Sequence, residues 1–182
     1  AAGTDGSERV DLGVVATCAR WFPDGSAILI TDDAERASAS PLRPAVIGTV
    51  NYRFGAVNIP APLTTPGALQ LHEALSRMQR EGATDVVMET TSIALEQGRV
   101  AGCRFRVAGL TNVTQDHLDY HGTMDRYFQA KTILFRDLLT DDGVGVVFAH
   151  REDGRRMQPH IAGRALTLSL DPAVGADVQV VA

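Results

Sequence analysis

The sequence predicts an α/β fold built on a largely parallel sheet. Apolar runs of strand length recur along the chain, and segments with helical periodicity lie between several of them. No long linker divides this pattern, and a length of 182 residues suits one domain. The predicted strands cover residues 11–16, 27–31, 45–52, 85–89, 106–111, 144–149, 165–169 and 177–181.

Capping residues and apolar periodicity predict two helices. The first spans residues 65–81, where Thr65 can cap the helix, a proline follows at the first helical position and Gly82 ends it. The second spans about residues 123–139, with Thr123 as its cap. Residues 31–44 read as a weak helix or a loop. The apolar stripe of the second helix consists of Met124, Tyr127, Phe128, Phe135 and Leu138.

Composition and charge exclude several classes of function. With 45% hydrophobic and 21% charged residues the chain is neither disordered nor fibrous, and it contains no apolar run long enough to cross a membrane. The net charge of −5 and the scattered basic residues argue against nucleic-acid binding. The two cysteines, Cys18 and Cys103, have no metal-binding spacing. We therefore expect a cytoplasmic protein that binds neither nucleic acid nor membrane.

Lys131 is the only lysine among 17 basic residues, and it lies within the apolar stripe of the second helix. Burial disfavours the charged form of an amine and so lowers its pKa. In one interpretation the aliphatic stem lies along the core while the ammonium reaches water. In the other, a neutral buried amine adds carbon dioxide and becomes a carbamate able to bind a metal ion. The pattern alone leaves both interpretations open.

A polar cluster at residues 111–122 follows one predicted strand and precedes the second helix. Loops at the carboxyl ends of parallel strands are where such sheets bind ligands. Asp116 and His117 offer a carboxylate and an imidazole to a divalent ion, and His121 could join them if the segment were helical. The alternative is a polar loop in which these side chains cap neighbouring backbone groups.

A second polar cluster, residues 88–92, ends the strand predicted at 85–89. Glu89 would therefore emerge at the same edge of the sheet as the cluster that contains His117. Glu89, His117 and a third anionic group could together bind magnesium.

An ordered series of motifs resembles the central domain of the Mur ligases. The resemblance covers about residues 45–171 and is strongest to the members that add the third residue of the peptidoglycan peptide. It implies a three-layer α/β domain with helices on both faces of a mostly parallel sheet, similar to the P-loop NTPases. The motifs lie at residues 48–53, 62–66, 88–92, 98–102, 111–122 and 130–131.

The resemblance also implies roles for individual residues. Lys131 would be a carbamylated lysine that holds magnesium with Glu89 and His117, these three forming the catalytic and metal site. The family reaction uses ATP to phosphorylate the peptide carboxylate, and the amine of the incoming amino acid then attacks the acyl phosphate to form an amide. Mg²⁺, ATP and a UDP-N-acetylmuramoyl-peptide are thus the implied cofactor, co-substrate and substrate. The residues implied to contact the UDP-sugar substrate are Thr64, Thr65, Thr91, Gln97 and Arg99.

The phosphate-binding loop departs from the family pattern. Strand position places this loop at residues 16–21, and distance back from Gly48 places it at residues 25 and 26, but neither register contains a lysine. Three further departures are Leu63 for an asparagine, Ile93 for a histidine, and residues 148–153 for the Asn-Ala-Asp-Asp segment expected near adenine.

Two functions of different classes remain after these departures. The first is a segment of a Mur ligase whose activity belongs to a longer protein. The second is a non-catalytic module that binds a UDP-linked precursor or a protein partner without using ATP. We expect residues 1–182 to form one central domain without the UDP-binding and amino-acid-binding domains, and expect this chain alone to be inactive.

Overall fold

The computed structural model describes the backbone of residues 26–31 and all atoms of residues 43–180. The predicted strand at 11–16, most of the segment 31–44, and Cys18 lie outside these residues. Nine strands are described: β1 Ser26–Thr31, β2 Pro44–Ile47, β3 Asn51–Phe54, β4 Val57–Pro60, β5 Asp85–Glu89, β6 Phe105–Leu110, β7 Leu139–Phe148, β8 Arg164–Ser169 and β9 Val178–Gln179.

Five helices are described between these strands, namely α1 Ala68–Arg80, α2 Ser92–Glu96, α3 Leu118–His121, α4 Met124–Ile133 and α5 Glu152–Met157. Two of them, α1 and α4, correspond to the two predicted helices. A π-helical turn, Leu134–Leu138, follows α4, and a 3₁₀ turn, Gln158–His160, follows α5. In the part of the chain that the structure describes, no helix is long and apolar enough to cross a membrane.

The strands form one mixed sheet in the order β4-β3-β2-β5-β1-β6-β7-β8-β9. Four neighbouring pairs are parallel, namely β2–β5, β6–β7, β7–β8 and β8–β9. Strand β1 is antiparallel to both β5 and β6, and β3 is antiparallel to both β2 and β4. The α/β class is confirmed, while the sheet is mixed because β1 and β3 run opposite to the other strands.

The single strand predicted at residues 45–52 is instead two strands, β2 and β3, which pair with each other. The chain bends at residues 48–50. At this bend the backbone N–H and the hydroxyl of Thr49 both donate hydrogen bonds to Glu89 Oε2, so the segment bonds to β5 through a side chain. Val50 falls inside the strand predicted at residues 45–52, but it lies on the bend and is 74% exposed.

Helix α1 begins three residues later than predicted. Its N-cap is Gly67, which makes no side-chain capping bond, and Thr65 is not the cap. The hydroxyl of Thr65 instead donates to Glu89 O and accepts from Thr91 N, at the connection between β5 and α2. The predicted end is confirmed, since Gly82 adopts a φ of +92°, which glycine tolerates best.

Helix α4 begins where predicted, and Thr123 Oγ1 accepts a hydrogen bond of 3.2 Å from Arg126 N. The α-helix ends at Ile133, and the following π-helical turn replaces the predicted continuation to residue 139. Strand β7 then begins at Leu139. Because a π-helical turn contains more residues than an α-helical turn, the stripe of 3.6-residue period cannot continue unchanged through it.

The core lies between the central strands and the helices packed on them. Met88 of β5, Phe105 of β6 and Val147 of β7 are fully buried. They belong to one cluster with Leu71 of α1 and Phe135 of the π-helical turn. This core fixes the carboxyl ends of β5 and β6, from which the polar clusters of the sequence emerge.

Candidate functional site

Glu89 ends β5 and is 3% exposed. Its Oε2 accepts hydrogen bonds from Thr49 Oγ1 at 2.8 Å and from Thr49 N at 3.3 Å. Thr49 Oγ1 also lies 3.1 Å from Thr64 Oγ1, one of the threonines implied to bind substrate. A buried carboxylate requires such donors, because removal from water is costly unless hydrogen bonds replace hydration. The bend at residues 48–50 therefore helps to hold the Glu89 carboxylate in position.

Thr65 connects Glu89 to the start of α2. Its Oγ1 donates to Glu89 O at 3.0 Å and accepts from Thr91 N at 3.0 Å, and the side chain is buried. Arg99 Nη1 donates to Thr65 O at 3.2 Å, while Arg99 Nε donates to Gln97 Oε1 at 2.9 Å. The structure thus brings the five predicted substrate residues into one hydrogen-bond network with Glu89.

Helix α2 carries Thr91 at its start and Gln97 just after its end, and both belong to this network. Thr91 is its N-cap, and Thr91 Oγ1 accepts a hydrogen bond of 3.2 Å from Ala94 N. Gln97, just beyond the helix, donates from Nε2 to the hydroxyl of Tyr120 in α3 at 3.4 Å. This contact connects the substrate network to the segment that carries His117.

His117 has a left-handed backbone with a φ of +51°, and no other non-glycine residue in the described ranges has a positive φ. Its N–H donates to Asp116 Oδ1 at 2.8 Å, and its carbonyl accepts from Tyr120 N and His121 N at 3.1 and 2.9 Å. Asp116 therefore caps the backbone, as the alternative interpretation of this cluster expected. Left-handed non-glycine residues are costly and occur often at functional sites.

The ring of Tyr127 on α4 is the centre of the α3–α4 side of the site. Lys131 Nζ lies 5.0 Å from the centroid of this ring, and the His117 ring meets it edge to face with centroids 6.2 Å apart. Both Tyr127 and Lys131 are 1% exposed. The interpretation in which the Lys131 ammonium reaches water is therefore wrong.

His121 is buried between α3 and α2, with its Nε2 2.9 Å from Ser92 Oγ and its Nδ1 3.1 Å from Glu96 Oε2. Burial lowers the pKa of this imidazole, and Glu96 opposes that shift by favouring the charged form. A metal-ligand role for His121 required that its segment be helical. The segment is helical, but both ring nitrogens of His121 face α2. The structure thus does not direct His121 at a metal shared with His117.

The described residues contain no group of three His, Cys, Asp or Glu side chains placed to hold a metal ion. Glu89 and His117 therefore need a further donor of another kind to complete a site. A carbamate on Lys131 would supply it, because its oxygens have the chemistry of a carboxylate, the ligand type that magnesium prefers.

A cavity of about 420 Å³ lies beyond the ends of β6 and β7. Residues 148–153, expected near adenine, contribute Arg151 and Asp153 to its lining. Asp153 accepts from Val113 N at 2.5 Å and from Arg151 Nε at 3.0 Å, and the Arg156 guanidinium lies 4.1 Å from the centroid of Phe128. Both registers of the expected phosphate loop, apart from Ser26 at the start of β1, fall outside the described residues.

Several residues at the site had no predicted role. Thr49 lies within the motif at residues 48–53, but its bond to Glu89 joins positions 40 residues apart. Tyr52 is buried and donates its hydroxyl to Leu63 O, and burial raises the pKa of its phenol. Tyr127 was assigned only to an apolar stripe. The one available signal for it is its spacing of four residues from Lys131, which places the two side chains on one helix face.

Comparison with known proteins identifies relatives of the chain. Residues 30–179 match the family described as the Mur ligase middle domain. A UDP-N-acetylmuramoyl-L-alanyl-D-glutamate--2,6-diaminopimelate ligase of Geobacter sulfurreducens is 50% identical over 107 residues, covering 59% of this chain and 21% of the relative. The ligase of the same name from Geobacter metallireducens is 43% identical over 135 residues, covering 71% and 26% of the two chains.

A third relative and a solved structure carry the same ligase name. The Corynebacterium efficiens protein is 45% identical over 127 residues, covering 68% of this chain and 24% of the relative. The solved structure is 34% identical with a TM-score of 0.62, covering 73% of this chain and 28% of its own. The chain thus spans about a quarter of the length of the curated relatives that it matches.

Proposed function

Because the chain belongs to the Mur ligase family, we propose that it supplies the metal-binding and substrate-binding surface of an ATP-dependent peptidoglycan ligase that works in the cytoplasm. The relatives are named for joining 2,6-diaminopimelate to a UDP-N-acetylmuramoyl peptide that already contains L-alanine and D-glutamate. The proposed reaction is therefore the addition of the third amino acid through an amide bond. The complete activity would require the remainder of a longer ligase.

Magnesium would be held by Glu89, His117 and a carbamate of Lys131. The carbamate forms when the neutral Nζ uses its lone pair to attack the carbon of carbon dioxide. A nitrogen–carbon bond forms, one C=O electron pair moves onto oxygen, and the nitrogen releases a proton to water. Lys131 is 1% exposed, and burial in general disfavours the charged form of an amine. Bound magnesium would stabilise negative charge on the phosphoryl groups of ATP and of the acyl phosphate.

The substrate surface would consist of Thr64, Thr65, Thr91, Gln97 and Arg99. The carrying observation is that one hydrogen-bond network joins all five to Glu89. Arg99 is half-buried and already bonded to Thr65 O and Gln97 Oε1, so its guanidinium is oriented before substrate arrives. An oriented guanidinium is suited to an anionic group of the substrate, since it binds phosphate or carboxylate with defined geometry.

The substrate role is tested by calorimetric titration of the chain with a UDP-N-acetylmuramoyl dipeptide. We expect Arg99→Ala to weaken binding by about tenfold or more, as loss of a charge-assisted hydrogen bond does. Arg104→Ala is the matched control, because Arg104 is an exposed arginine whose one hydrogen bond within the described residues is to Asp137 O, outside the substrate network. Equal weakening by both variants, or no binding by the folded wild type, would contradict the role of Arg99.

One observation favours a second function, a binding module that does not use ATP. Lys131 is the only lysine in the sequence, so no lysine remains for a phosphate-binding loop. Calorimetric titration with magnesium ATP separates the two functions. Saturable binding supports the ligase segment. A folded chain that binds the UDP-linked peptide and no ATP supports the module instead.

A further inference from the structure

We propose that His121 is a positioning residue that fixes the turn carrying His117 and the ring that contacts Lys131. This inference rests on the proposed function, because its consequence for metal binding assumes that His117 and Lys131 are ligands. Its consequence for the backbone of His117 does not depend on that assumption. His121 itself would touch neither metal nor substrate.

The side chain of His121 ties α3 to α2. Its two ring nitrogens lie 2.9 Å from Ser92 Oγ and 3.1 Å from Glu96 Oε2, both on α2, and the imidazole is fully buried. The contact of Nε2 with Ser92 Oγ is a hydrogen bond, whereas Nδ1 makes no hydrogen bond within the described residues and lies beside Glu96 only as a charge partner. Loss of the Ser92 bond would leave the buried ring without compensation for its lost hydration. The position of α3 is therefore fixed relative to the helix whose N-cap is Thr91.

The backbone of His121 connects this anchor to His117. His121 N donates to His117 O at 2.9 Å, and this bond closes the single turn of α3. His117 has a left-handed backbone, a conformation that is unfavourable for a non-glycine residue. Such a conformation persists only where surrounding contacts determine it. The anchor at Ser92 and Glu96 is such a contact, because it holds the turn in place.

The ring of His121 connects the anchor to Lys131. It packs against Tyr127 with centroids 5.4 Å apart, and Tyr120 covers its other side edge to face at 4.9 Å. Tyr127 in turn contacts Lys131 Nζ and the His117 ring. Both implied ligands on this side of the site thus contact Tyr127, and His121 packs directly against Tyr127.

Four variants distinguish the polar contacts of the His121 ring nitrogens from the packing of the ring. His121→Phe keeps a ring between Tyr120 and Tyr127 and removes both nitrogens. His121→Gln keeps an amide able to reach one of the two partners. Ser92→Ala removes one partner only and serves if His121→Phe fails to fold. The control is His72→Gln, because His72 is exposed on α1 and, among the described residues, its ring bonds to Ala101 O alone.

The first readout is the backbone coupling constant between the amide and α protons of His117, which reports φ by NMR. The second is Mn²⁺ binding in bicarbonate buffer, followed by the electron paramagnetic resonance of free Mn²⁺. Stability is measured separately by urea unfolding, so both readouts are taken where every variant is folded.

We expect His121→Phe to shift the His117 coupling and to weaken Mn²⁺ binding about 10–100-fold, the usual effect of losing a residue that orients a ligand. His121→Gln should recover part of the affinity, and His72→Gln should change neither readout. An unchanged His117 coupling in both His121→Phe and Ser92→Ala would overturn the proposal, whether or not the wild type binds Mn²⁺. A wild type that binds no Mn²⁺ while the coupling shifts in the variants would overturn the metal assignment and support the positioning role.

Discussion

The two sides of the candidate site are held by different kinds of contact. On the β5–α2 side, Glu89, Thr65 and Arg99 are joined by directional hydrogen bonds. On the α3–α4 side, His117 and Lys131 meet around the ring of Tyr127. Hydrogen bonds fix individual atoms, whereas ring packing fixes the shape of a space. Under the proposed function, the first side would position a substrate and the second would hold a lysine that changes its charge.

The largest expected effect is on the ring-packed side. Tyr127→Ala should lower the free energy of unfolding by about 3–5 kcal/mol, because it removes a fully buried aromatic ring and leaves a cavity. Urea unfolding followed by circular dichroism measures the change. Tyr127→Phe is the control, since it retains the ring and should cost about 1.5 kcal/mol or less. A small loss in Tyr127→Ala would show that the ring does not organise this side.

The hydrogen-bonded side should be sensitive to loss of a single hydroxyl. Thr65→Val preserves the shape of the side chain but removes the hydroxyl that accepts from Thr91 N and donates to Glu89 O, each at 3.0 Å. Because both groups are buried or partly buried, we expect a loss of about 1–3 kcal/mol in the free energy of unfolding. Thr65→Ser retains the hydroxyl and should lose less. Equal effects of the two variants would assign the loss to packing.

A smaller effect is expected from the strained backbone between the two sides. His117→Gly should leave the free energy of unfolding unchanged or raise it by up to about 1 kcal/mol, because glycine adopts a left-handed backbone without strain. The control is Asp119→Gly in α3, which should lose about 0.5–1 kcal/mol as glycine does within a helix. A larger loss in His117→Gly than in Asp119→Gly would contradict this account of the backbone.

The smallest expected effect is a pH dependence from His121. Burial, with contributions from His117 and Lys131, lowers the pKa of His121 below its ordinary 6.5, against the opposing effect of Glu96. The unfolded chain therefore binds a proton at higher pH than the folded chain does. The stability that this group contributes is fully present above pH 6.5 and is lost as the pH falls from there through the folded pKa.

The measurement is urea unfolding of wild type and His121→Gln across this pH range. The difference in unfolding free energy between the two proteins should narrow as the pH falls below 6.5. His72→Gln should show no such narrowing. A constant difference for His121→Gln would contradict the lowered pKa.

The sequence predicts those parts of the site whose positions depend on residues close together in the chain. The strand at 85–89 is found with the predicted bounds, so Glu89 emerges at the expected edge. Thr123 caps α4 as predicted, because its acceptor and donor are three residues apart. Burial of Lys131 also agrees with its place in an apolar stripe.

Partners that are distant in sequence could not be predicted in this way. Thr65 has the local signature of a helix cap, yet its hydroxyl bonds to groups 24 and 26 residues away. The direction of β1 depends on pairing with β5 and β6, which no local pattern encodes. The left-handed backbone of His117 follows from the closure of α3 and from the contacts of that turn with α2.

The most direct test of the central claim is whether metal binding requires carbon dioxide. The wild-type chain is titrated with Mn²⁺ in buffer freed of carbon dioxide and again in bicarbonate buffer, with Lys131→Ala titrated in both. Because the proposed site is completed by the Lys131 carbamate, we predict binding only by the wild type in bicarbonate. Equal binding in both buffers, or binding by Lys131→Ala, would contradict a site completed by a Lys131 carbamate.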